Sequence, residues 1–117
     1  MRWIGIAALS LCLACGRMMG AFIPDLPIRL PARGVRVFVG LEERGVTCVE
    51  GVIEGTDHEA ICSHFAAQML DGGWVVERRG VAPLTTLAGQ RGRERLDVEI
   101  SGPAAHAPAG FKVRWTP

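Results

Sequence analysis

Little separates the positive from the negative charge in this 117-residue chain, with 13 Lys plus Arg against 12 Asp plus Glu. A broad nucleic-acid-binding surface needs a large basic excess, and the balance argues against one. Lysine is nearly missing: Lys112 is the single Lys among the basic residues, which reads as genome composition. Beyond the N-terminal segment, paired Cys-x-x-Cys and His-x-x-x-His spacings are missing too, so no ready-made metal site stands out in the domain. Gly-rich phosphate loops are absent. Gly72-Gly73 falls where a helix should end, whereas a phosphate cradle must precede one. No internal repeat and no low-complexity segment is visible. The length leaves room for one small domain and rules out a multidomain enzyme. What remains is a globular composition, 49% hydrophobic and 21% charged.

A long hydrophobic run is also lacking. Trp3 to Ala14 is apolar apart from Gly5 and Ser10, behind the short positive Met1-Arg2. That suits a signal-peptide core and is too short for a bilayer span of about 20 residues. The run ends in Cys12-Leu13-Ala14-Cys15-Gly16, which resembles the lipobox of bacterial lipoproteins. The resemblance implies cleavage before Cys15 and acylation of Cys15 as the mature N-terminus. A cut before Cys12 would put bulky Leu11 at a small-residue position. Gly16 in place of Asp implies the outer membrane, facing the periplasm. An acyl anchor holds because each buried methylene contributes about 0.8 kcal/mol. The alternatives are a conventional secretory signal or an uncleaved anchor.

Residues 15–33 carry Pro24, Pro27 and Pro31 and read as an extended tether. Residues 34–117 read as a single α+β domain. Val35, Val37, Val39 and Leu41 alternate with Arg36, Phe38 and Gly40 as a half-buried strand does. Glu42 to Gly45 suits a hairpin turn, and residues 46–53 read as the second strand. Thr56 with Glu59 has capping-box spacing, so a helix should start near Asp57. Ile61, Phe65 and Met69 form its apolar stripe, and Gly72-Gly73 should end it near residue 71. Further strands are expected from Trp74, over residues 84–87, over 93–101 and from Phe111, with turns at 90–92 and a loop over 102–110. The order β-β-α-β-β-β predicts a two-layer fold, one helix on an antiparallel sheet.

The run from His64 to Trp74 is similar to a module of small bacterial lipoproteins and secreted domains. In that module an aromatic pair, a Leu four residues after the second aromatic and a closing Gly-Trp mark one helix; His64 stands here at the first aromatic position. Phe65, Met69, Gly73 and Trp74 take those positions here. The resemblance covers roughly residues 31–117. It implies the fold and a buried Trp74, and it brings no catalytic residue.

Four side chains bear on chemistry. Cys48 and Cys62 are candidates for a disulfide in an oxidising envelope, or for two buried free thiols. A bridge would close a short loop and contribute about 3 kcal/mol. His58, four residues before Cys62, and His64 supply the alternative, a small Cys/His-dependent enzyme or metal-binding domain. Against it, His58 reads as a solvated first-turn residue. Charge is uneven along the chain: seven acids and one Arg lie between Glu42 and Asp71, seven bases and three acids between Arg78 and Arg114. Arg78, Arg79, Arg91, Arg93 and Arg95 are therefore candidates for a basic surface facing an anionic partner. The expectation overall is a non-catalytic, lipid-anchored envelope protein. It would work through contacts with an envelope protein or surface, with no cofactor, no metal and no nucleic acid.

Overall fold

The computed structural model of the protein describes residues 24–117. Cys15 and the segment read as a signal peptide lie outside the described residues. The elements are β1 (Val35–Glu43), β2 (Val46–Ile53), α1 (His58–Asp71), β3 (Val75–Arg79), β4 (Leu84–Arg91), β5 (Glu94–Ser101) and β6 (Ala109–Thr116). The strands form one six-stranded sheet in the order β1-β2-β6-β5-β4-β3, every neighbour antiparallel. This is the α+β fold read from the pattern of the sequence.

Local chemistry sets the boundaries. Arg44 and Gly45 both take positive φ, 55° and 80°, so the first hairpin closes on two residues and Glu42 and Glu43 stay in the strand. The second hairpin turns at Gly92-Arg93, so β4 reaches Arg91 and is longer than residues 84–87 suggested. The helix N-cap is Asp57 and not Thr56. Its carboxylate accepts the Ala60 N–H at 2.7 Å. At the other end Gly73 sits at φ 85°. Its N–H donates to the Leu70 carbonyl and that of Trp74 to the Met69 carbonyl, both at 3.0 Å. That pair of bonds is a Schellman stop, in which the residue after the left-handed glycine folds back on the last helical turn. The Gly-Trp pair thus ends the helix with Gly73 and plugs the core with Trp74, which is 2% exposed.

Alternate residues of each strand face the helix: Thr47, Val49 and Ile53 on β2, Leu96, Val98 and Ile100 on β5, Phe111 and Val113 on β6. From the helix, Ile61, Phe65 and Met69 meet them, with Phe65 and Phe111 rings 6.0 Å apart. A side chain at Gly89 would strike the Met69 methyl, and the Trp74 ring is the next wall of the same site. Glycine there lets both large side chains lie directly on the sheet.

The helix lies closest to β3, β4 and β5, reaches β6 through Phe65, and leaves the β1-β2 side of that face to be covered by other residues. The reason is width. A helix about 10 Å across covers two to three strands spaced about 4.8 Å apart, and there are six here. Part of the expected tether fills the gap. Ile28 is 6% exposed within the core, and Leu26 and Leu30 pack against it. Two helix side chains one turn apart grip the backbone of Arg29. Gln68 accepts its N–H at 3.3 Å, and His64 Nε2–H donates to its carbonyl at 2.9 Å. The tether reading of residues 24–33 is therefore corrected: proline keeps this stretch extended, and the extended stretch is a strap that completes the second layer.

Candidate functional site

The sheet face turned away from the helix carries no second layer among the described residues. β-pleating puts Arg36, Val39 and Leu41 of β1 on it, with Cys48, Glu50 and Val52 of β2, Lys112 and Arg114 of β6, and Asp97 and Glu99 of β5. Charges alternate across the strands. Lys112 lies in register between Glu50 and Glu99, and Arg114 between Cys48 and Asp97. Opposite charges in directly opposed positions stabilise a sheet modestly.

A cavity of about 390 Å³ interrupts this face, with Phe38, Val39, Glu50, Glu99, Ser101 and Lys112 among its walls. Two local features make it. The register between β1 and β2 shifts between Val37 and Val39, so Phe38 is an extra residue and swings over the open face beside Val39. Gly110 then leaves the floor bare, since any side chain there would meet Ser101 Oγ at 3.0 Å. The result is an aromatic wall, two carboxylate acceptors and one ammonium donor around exposed backbone. Such a mixture suits the alternating donors and acceptors of an extended peptide.

The five arginines do not form one basic surface. Arg78 and Arg91 point to the helix side; Arg79 and Arg95 point to the open face. Arg78 binds Glu59 through both guanidinium nitrogens at 2.7 and 3.0 Å. Arg91 pairs with Glu94 at 3.1 Å, donates to the Gly72 carbonyl at 2.7 Å and lies 4.4 Å above the Trp74 ring. Arg79 pairs with Glu77 and Arg95 with Asp97. Arg93 stands apart in the β4–β5 turn. The local charge excess is spent within the fold.

These pairs set an acid limit on stability. The guanidiniums beside Glu59, Glu77 and Glu94 hold all three carboxyls below the usual value of 4.5. Depressed folded values mean that the stabilisation is complete above pH 4.5 and is lost as pH falls through the lower folded values. Denaturant melts at pH 6 and pH 3 should show the loss, and Glu59→Gln should shrink it.

Cys48 and Cys62 are free thiols on opposite sides of the sheet. Cys62 is buried under the helix, while Cys48 lies on the open face, half-buried, so the expected bridge is not formed. β2 can present Thr47, Val49, Gly51 and Ile53 inward only by turning Cys48 outward. Burial pushes both thiols above the usual 9.0. Glu50 adds to the effect at Cys48, and Thr85 and Arg78 oppose it at Cys62. Native alkylation should therefore map to Cys48, with Cys62 reacting only after unfolding, and reductant should leave stability unchanged. Labelling of Cys62 in the folded protein would contradict the packing.

His58 is buried, contrary to the solvated position expected. Nδ1–H donates to the Gly102 carbonyl at 2.6 Å, and Nε2 lies 2.8 Å from the Thr85 hydroxyl. The Thr85 hydroxyl also eases ionisation of the Cys62 thiol. The structure thus joins Cys62, Thr85 and His58 in one group that ties the helix start to β4 and the 102–108 loop. With Nδ1 protonated, Thr85 donates to Nε2. A nucleophile needs thiolate and access, and Cys62 is 2% exposed with its ionisation opposed by burial. The network holds three elements in place. His64 belongs to the strap clamp and edges the Phe65 ring at 5.4 Å, away from this group. Among the described residues no group of three His, Cys, Asp or Glu has the spacing of a metal site.

The cleft itself had no signature in the sequence, because an omitted side chain at Gly110 and a bulge at Phe38 leave no motif. Compared with known proteins, the chain matches no family model, no curated protein and no solved structure.

Proposed function

We propose that the protein is a lipid-anchored component of the cell envelope that works without catalysis, holding an extended segment of an envelope protein in the cleft of its open sheet face. The cleft carries the reading. It combines an aromatic wall at Phe38 with Glu50, Glu99 and Lys112 around bare backbone at Gly110. The lipobox-like Leu13-Ala14-Cys15 supports acylation at Cys15, and Gly16 supports the outer membrane, facing the periplasm. The strap supports it too, since the chain leading from Cys15 enters the domain on the helix side, opposite the cleft.

Two measurements test it. Palmitate labelling of full-length chain should disappear in Cys15→Ser, with the precursor accumulating. A photoreactive side chain in place of Lys112 should crosslink one envelope protein in cells, and the same probe at Ser63 on the helix should not. Normal labelling of Cys15→Ser overturns the anchor. Equal crosslinking from both positions overturns the cleft.

A further inference from the structure

Among the described residues the sheet has two free edges, and they are built differently. The β3 edge is five residues long and carries Glu77, Arg78 and Arg79, all held in ion pairs. Charge on a short strand is how a protein keeps an edge from pairing. The β1 edge is nine residues long, and its middle is apolar and exposed: Phe38 is 60% exposed, Val39 41% and Leu41 46%. Among the described residues no strand lies beside its outer backbone donors and acceptors, since β1 is the first strand of the sheet.

We infer that β1 pairs antiparallel with β1 of a second copy of this chain, joining two sheets into one across a two-fold axis. The partner is chosen by self-complementarity. A continuous sheet requires residues on the same pleat face to oppose each other. Because Phe38 and Val39 share one pleat position, a two-fold axis through Gly40 satisfies that along the strand. Gly40 then opposes Gly40 of the second copy, where nothing but backbone must fit. Leu41 opposes Phe38 and Val39 of the other copy, covering the exposed apolar groups. Arg36, whose guanidinium is bound to Glu54 within its own chain, opposes Glu43, and symmetry makes that approach twice. Both of these residues lie on the open face, Arg36 opposite Val52 and Glu43 opposite Val46 on β2. The interface is isologous and closes at two copies. The two clefts come to lie on one continuous surface, flanking the axis. This pairing does not depend on the anchor, and Phe38 and Val39 belong to both the seam and the cleft wall.

Full-length chain purified in mild detergent tests it by sedimentation. The unsubstituted protein should have the mass of two chains. Glu43→Arg alone places Arg opposite Arg36, and Arg36→Glu alone places Glu opposite Glu43, so each should sediment as one chain. Mixed together, the two variants have opposite charges at both positions and should sediment as two chains again. A single-chain mass for the unsubstituted protein overturns the proposal, as does a mixture that stays single. In cells, Arg36→Cys combined with Glu43→Cys should give a disulfide-linked product of twice the chain mass on mild oxidation, and Ser63→Cys should not. A product of any other mass would mean a different partner on this edge and would overturn self-pairing.

Discussion

Trp74→Ala should destabilise the domain by about 3–5 kcal/mol, the range for truncating a large buried aromatic. Small domains have about 5–15 kcal/mol in total, so the variant should be partly unfolded at room temperature. The effect has three sources. The ring fills the space over Gly89 beside Met69, which neither backbone can collapse to fill. It supports the Arg91 guanidinium, which also bonds Gly72 and Glu94 and so ties the helix end to β4. It is also the apolar residue that follows Gly73 and closes the helix stop on Met69. Trp74→Phe should cost less than half as much, because the indole N–H is buried without a partner and its removal leaves nothing unsatisfied. Urea titration followed by far-UV circular dichroism measures both. An alanine variant within 1 kcal/mol of the parent would show that the ring is not part of the core.

Ile28→Ala should cost about 2–4 kcal/mol, a loss that a residue in a free tether could not produce. Ile28 is buried with the core, and its neighbours Leu26 and Leu30 seal the same half of the sheet. Ile28→Asp should be worse, because it places a carboxylate in the core without a partner. Arg33→Ala, at an exposed position of the same stretch, should stay within about 0.5 kcal/mol of the parent. The same titration reads all three. Equal stability of Ile28→Ala and Arg33→Ala would return the segment to the status of linker.

The strap shows where the sequence can be read and where it cannot. Strands and helix were legible because each carries its own period: Leu96, Val98 and Ile100 alternate over β5, and Ile61, Phe65 and Met69 recur along α1. Helix ends were legible to a residue or so because Asp57 and Gly73 act locally. The strap has an alternation too, Leu26, Ile28 and Leu30, but the prolines between them outweighed it. The decisive argument was one of width, which needs the strand count and the helix position together. The inward face of β2 was ambiguous because both faces hold apolar residues, Val46 and Val52 on one, Val49 and Ile53 on the other. That ambiguity carried the disulfide with it. His58 was misplaced because its partners, Gly102 and Thr85, are 44 and 27 residues away. The cleft was invisible for the same reason: its walls come from β1, β2, β5 and β6, and no short window contains them.

The strand order has a consequence for how the protein is made. β6 lies between β2 and β5, yet it is the last of the six strands to leave the ribosome. Until it arrives, β1-β2 and β5-β4-β3 are two separate ribbons, and the core of the helix with β3, β4 and β5 is not joined to the β1-β2 hairpin. The strap, synthesised before every strand, has no complete surface to settle on until then. Among the described residues, no amino-terminal portion that lacks β6 can close this sheet. The sheet can close only after its last strand has emerged.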